Sequence, residues 1–161
     1  MGKIILSKSA GFCFGVSRAI KKIYDIIDTA DKDIFTLGPI IHNPQIIKEL
    51  EQKGIKIADD DEINIIPDNA LLIIRTHGIP KEKKDIISKK KFDICDMTCP
   101  FVSKIQDIVK DESKHNKTVL IAGDPKHPEI IGIRSYCNDS GYVIKDLEDL
   151  KKLENDNNKV F

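Results

Sequence analysis

The feature that most restricts the fold of this chain is an alternation. Short runs rich in Ile, Val and Leu are separated, one after another, by stretches with helical apolar spacing. "KIILS" (3–7), "IFTLG" (34–38), "IKIA" (55–58), "ALLIIR" (70–75), "KFDIC" (91–95), "KTVLIAG" (117–123) and "GYVI" (141–144) have the length and composition of strands. Helices are expected between them over 16–30, 44–54, 80–90, 100–113, 127–137 and 146–153. In the first, Val16, Ala19, Ile20, Ile23, Ile26 and Ile27 fall on one face. Pro44 and Pro100 stand where a first helical turn accepts proline, and Gly54 stands just past a helix end. The run 70–75 is apolar up to its final Arg75, as in a strand covered on both faces, and 80–90 is a lysine-rich surface helix. Such alternation predicts an α/β fold: a parallel sheet with right-handed helical crossovers.

Composition narrows the setting. A chain of 161 residues can bury a core. Lys plus Arg and Asp plus Glu both number 26, so no net field steers nucleic acid or an anionic membrane to it. No apolar run has spanning length, and the N-terminus leads into a strand rather than a signal-peptide pattern. A cytoplasmic location is expected. The cysteines at 13, 95, 99 and 137 are then expected to be free, catalytic or metal-bound rather than disulfide-bonded.

In parallel α/β sheets, sites form beyond the carboxyl ends of the strands. The loops there hold Cys13 in "GFCFG", His42 and Asn43 in "GPIIHNP", Thr76 and His77 in "RTHGIP", Thr98 and Cys99 in "CDMTCP", and His127 and Glu129 in "GDPKHPE". Cys13 and Cys99 each stand at or just before a helix start, where free N–H groups and the helix dipole favour thiolate. Gly11 and Gly15 let backbone pass close to whatever the sulfur holds. Imidazoles converging on one crevice suit phosphate or diphosphate. Glu129, two residues past His127, reads as a proton donor or relay, or as a first-turn acid favoured by the dipole. Cys95, on an expected buried strand, and Cys137, at a helix end, read as packing residues, and His115 as solvated. These residue types leave iron–sulfur and zinc chemistry both open, although no CxxC-type spacing is present.

The ordered set "GFCFGV", "HNPQ", "THGIP", "DMTCP" and "HPEIIG" resembles the 4-hydroxy-3-methylbut-2-enyl diphosphate reductases, the IspH/LytB family, from about residue 3 to at least 135. The resemblance implies αβα units in a three-unit, trefoil-like enzyme around a central pocket. That pocket would hold a [4Fe-4S] cluster on three cysteines, of which Cys13 and Cys99 match the first two. It implies diphosphate binding by His42, His77 and His127, and proton delivery by Glu129. The implied reaction is reductive removal of the allylic hydroxyl of the substrate, giving isopentenyl and dimethylallyl diphosphates at the last step of the methylerythritol phosphate route. The implied electron donor is of the ferredoxin or flavodoxin type.

A short echo, Val16-Ser17-Arg18-Ala19 after Cys13 and Val102-Ser103-Lys104-Ile105 after Cys99, suggests two related units. The first spans 1–96, with Cys13, His42 and His77; an incomplete second spans 97–161, with Cys99, His127 and Glu129. The family's third cysteine and its third unit match nothing in this sequence, so the chain is expected to be an N-terminal portion, inactive alone, with that cysteine beyond residue 161. Two other readings remain. One is a diphosphate-binding α/β domain without catalysis, which would need the histidines but not the thiols. The other is a zinc hydrolase, whose ligand spacing is not matched.

Overall fold

A computed structural model describes residues 2–138 and 141–154. In chain order its elements are α1 (Phe14–Thr29), β1 (Ile34–Leu37), α2 (Pro44–Gln52), β2 (Ile55–Ala58), β3 (Leu71–Ile74), α3 (Lys81–Ile87), β4 (Asp93–Asp96), α4 (Pro100–Lys114), β5 (Val119–Ala122), α5 (Pro128–Ser135), β6 (Gly141–Ile144) and α6 (Leu147–Glu154). Four strands form a sheet in the order β2-β1-β3-β4, and β5 pairs with β6. Every pairing is parallel, as the alternation requires.

The period of two along β3 divides the core. Leu72 and Ile74 enter one cluster with Leu37, Ile79, Ile87 and Phe92, under α3. Ile73 faces the other way, into a cluster with Ala19 and Ile23 of α1 and Leu50 of α2. β3 is therefore covered on both faces, which explains its unbroken apolar run. Val109, Ile121, Ile133 and Cys137 form a smaller cluster between α4, α5 and the β5–β6 pair. Cys137 is buried there, as its packing role predicted, and burial pushes its thiol pKa up.

Two expectations fail, both for reasons of pairing. Residues 3–7 form no strand, and Ile4, Ile5 and Leu6 stand open to solvent. A strand is completed by a neighbour, and none of the described strands pairs with this segment. The 91–95 strand was expected to be buried, but β4 lies at the edge of its sheet, with Ile94 exposed and Cys95 half-buried. Cys95 still packs on the α1 side of the core. A short 3-10 turn at Glu62–Asn64 adds Ile63 to the core and has no counterpart in the expected elements.

The depth of β3 and the openness of 3–7 give opposite stability outcomes. In urea unfolding of this chain, Leu72→Ala should cost about 2–5 kcal/mol. Ile5→Ala should stay within about 0.5 kcal/mol.

Candidate functional site

The sheet carries its register into the loops. Along the β3–β4 ladder, Asp93 N–H donates to the Ala70 carbonyl (3.1 Å), Met97 N–H to Ile74 (3.0 Å) and Cys99 N–H to Thr76 (2.9 Å). Cys99 is thereby set beside Thr76 and next to His77. Thr76 is buried, and its hydroxyl donates to the Ile40 carbonyl at 3.0 Å, tying in the loop that carries His42. Three post-strand segments are held together before any ligand is considered.

All the site residues but His77, which lies in the turn after β3, stand at or beside a helix start. Asn43 caps α2, its Oδ1 accepting from Gln45 N–H (3.1 Å) and Ile46 N–H (3.2 Å), with Pro44 in the first turn. This fixes His42 immediately before the cap. His127 caps α5, its Nδ1 accepting from Glu129 N–H at 3.2 Å. The neutral ring therefore carries its proton on Nε2, which remains a donor. Asp96 shapes the turn before Cys99: its Oδ1 accepts from Thr98 N–H (2.9 Å) and from the Thr98 hydroxyl, and its other oxygen lies 3.1 Å from Lys84 Nζ. Burial works to raise the Asp96 pKa, but these donors outweigh it and hold the carboxyl below its usual value.

The three histidines come together. Ring centroids lie 4.6 Å apart for His42–His77, 6.0 Å for His42–His127 and 5.7 Å for His77–His127. His42 and His127 are exposed, and His77 is half-buried between them. Burial, then the neighbouring His42, Arg75 and His127, lowers the His77 pKa to about 4. A cleft of about 250 Å³ joins the His42 and His77 rings to the Cys13 loop and is lined also by Phe12 and Val16. Glu129 is half-buried in the first turn of α5. His115 lies apart and exposed, its Nδ1 2.9 Å from the Asp111 carbonyl.

Cys13 and Cys99 occupy the caps of α1 and α4, and neither side chain makes a cap hydrogen bond. Both are free thiols, Cys13 exposed and Cys99 half-buried. Cys99 lies against the first turn of α1: a Cβ on Gly15 would come within 2.7 Å of its Sγ. Gly15 is thus the open cradle beside the second sulfur. Two soft thiolate donors at neighbouring helix starts suit an iron–sulfur cluster better than a hard cation. Among the described residues, no three His, Cys, Asp or Glu converge as a metal-binding group.

Other residues of the site carry no motif. Arg75 is buried at the end of β3, with Nη2 3.3 Å from Asp60 Oδ2. Gly38, at φ 66°, leaves room for this guanidinium; a Cβ there would lie 2.1 Å from Nη1. Gln106, buried on α4, places its Nε2 2.9 Å from where a Cβ on Gly78 would stand and 3.7 Å from one on Gly132. It wedges between the His77 loop and α5. The one available signal for Arg75 is a charge that ends an apolar run; Gln106 has none, since a polar residue on an amphipathic helix reads as solvated.

No described helix is long and apolar enough to cross a membrane. The family model described as "LytB protein" matches residues 4–161. A 4-hydroxy-3-methylbut-2-enyl diphosphate reductase of Clostridioides difficile (strain 630) is 44% identical over 162 residues, covering 98% of this chain and 56% of that protein. One of Thermoanaerobacter sp. (strain X514) is 43% identical over 152 residues, covering 94% and 53%. Among solved structures, the E-1-hydroxy-2-methyl-but-2-enyl-4-diphosphate reductase of Plasmodium falciparum superposes with a TM-score of 0.85 at 32% identity, over 91% of this chain and 45% of that one. A structure of (E)-4-hydroxy-3-methyl-but-2-enyl diphosphate reductase gives 0.79 at 38% identity, over 92% and 53%. The chain spans about half the length of the curated relatives it matches. With a family model matched along nearly all of its length, the chain belongs to the LytB protein family.

Proposed function

We propose that this chain is the N-terminal portion of a 4-hydroxy-3-methylbut-2-enyl diphosphate reductase. The observation that carries the reading is the convergence of three imidazoles, from three separate post-strand loops, beside two helix-start thiols. A [4Fe-4S] cluster held by Cys13, Cys99 and a third cysteine from sequence beyond Phe161 would supply the electrons and the Lewis-acidic iron for loss of the allylic hydroxyl. The division at residue 96, a cytoplasmic location and a ferredoxin- or flavodoxin-type donor belong to the same proposal.

The chain's own residues have separable tasks. His42, His77 and His127 hold the diphosphate by N–H donation and orient the alcohol end toward the cysteines. His127 offers Nε2–H because Nδ1 is committed to the α5 cap. His77 donates as a neutral ring, which keeps three adjacent imidazoles from repelling one another before the polyanion arrives. Phe12 and Val16 give the cleft an apolar wall against the hydrocarbon. Glu129 delivers a proton to the departing oxygen, which leaves as water.

Anaerobic reconstitution followed by a reductase assay tests the reading. The full-length protein should turn over the allylic diphosphate, and the 161-residue chain should not. A stable cluster with activity in the short chain would sink the claim that it is a portion. In the full-length enzyme, Glu129→Gln should lower kcat by about 10²–10⁴-fold with little change in KM. His42→Ala should act mainly on KM.

The His77 ring gives a pH signature. Its folded pKa lies below its unfolded value of 6.5, so the unfolded chain binds this proton first as pH falls. Its contribution to stability is fully present above 6.5 and declines as pH falls from there toward about 4. NMR titration of the ring should show no charging until near that lower value; a midpoint close to 6.5 would refute it.

A further inference from the structure

We propose that Arg18 is a positioning residue for the Cys13–Cys99 thiol pair, locking the start of α4 against the start of α1. The proposal rests on the reading of these cysteines as ligands of one group. Arg18 lies on α1 one turn beyond Gly15 and five residues beyond Cys13. Its Nη2 donates to two successive carbonyls, Met97 (3.0 Å) and Thr98 (2.9 Å), which immediately precede Cys99. Nothing else in the described hydrogen bonding holds those carbonyls. The amides of the same segment are held from the other side, Met97 N–H by Ile74 and Cys99 N–H by Thr76. The peptide leading to Cys99 is thus clamped between sheet and helix, and Arg18 is the helix side of the clamp.

The small residues of α1 fit this task. Gly15 and Ala19 are buried on the face that meets segment 97–99, and at Gly15 no Cβ intervenes before the Cys99 sulfur. Close approach alone would let the helix slide along its axis. The two-carbonyl anchor removes that freedom, and with it the freedom of Cys13, which caps the same helix. A lysine could not reproduce the anchor, since an ammonium is a single point of donation on a flexible stem. The echo position, Lys104 on α4, is exposed, so the clamp runs in one direction, from α1 to α4.

Chemical cross-linking of the cluster-free, reduced full-length protein tests this without recourse to activity. Dibromobimane links two thiols only when both lie within its short reach, and peptide mapping isolates the Cys13–Cys99 product. Arg18→Met should lower the yield of that peptide by about tenfold, the factor implied by losing a charge-assisted hydrogen bond, with single-site alkylation of each thiol and helical circular dichroism unchanged. Arg18→Lys should fall between. Ile23→Val, a core change on the same helix, should match the wild type. A yield within about twofold of wild type for Arg18→Met would overturn the proposal, as would an equal loss in Ile23→Val. Should Arg18→Met not fold, Arg18→Lys decides, and a wild-type yield overturns it. Failure of the wild-type protein to load iron or reduce the diphosphate would count against the reductase reading and leave the cross-linking result standing.

Discussion

One backbone hydrogen bond, from the Cys99 N–H to the Thr76 carbonyl, sets most of this site. It extends the β3–β4 ladder past the ends of both strands and delivers a cysteine, in fixed register, beside the loop that carries His77. Because side chains alternate along a strand, a slip of one residue would turn Cys99 away and bring Thr98 into its place. Parallel pairing does the rest. Strands running the same way place their following loops at one end, so the segments bearing His42, His77 and Cys99 meet without any long excursion of the chain.

The site is assembled at a cost in local stability. Most of the buried side-chain atoms without hydrogen-bond partners lie in or behind it: Arg18 Nε, Asp60 Oδ1, Arg75 Nε and Gln106 Nε2. Three imidazoles lie within ring-contact distance, with the buried Arg75 guanidinium two residues from His77 and paired with Asp60. The core around β3, by contrast, contains fully buried Leu72, Ile73 and Ile74 in unstrained alternation. The fold is satisfied in its core and carries most of its unpartnered buried side-chain atoms, among the described residues, toward one end of its sheet.

What the sequence made legible follows from how local each signal is. Helix starts were readable where proline chemistry is confined to a few residues: Pro44 and Pro100 open α2 and α4 as expected. The strands from 34 onward were readable from apolar runs, and the gathering of histidines from the rule that loops after parallel strands share an end. The segment 3–7 was misread because strand character in "KIILS" is only a propensity until an edge accepts it. β4 was read as buried because composition does not say which strand lies outermost. Arg18 and Gln106 were illegible as site residues for the same reason, while Arg75 showed only as a charge ending an apolar run. Their partners lie up to 80 residues away, and a polar side chain on a helix looks solvated until the tertiary contact is known.

The treatment of the helix starts separates the roles of the groups they hold. Cys13 and Cys99 begin α1 and α4 in the same way, each carbonyl accepting from the residue four positions on, Ser17 and Ser103. Neither thiol caps its helix. A Ser or Asp at either place would stabilise the helix by about 1 kcal/mol. Forgoing that leaves both thiols unbonded to the helix starts they precede. His127 does the reverse: it spends Nδ1 on the cap, and so fixes which nitrogen is left to donate. The same local motif therefore prepares two kinds of group. Where the cap is left open the side chain makes no bond to the helix start, and where it is closed the ring is held in one orientation.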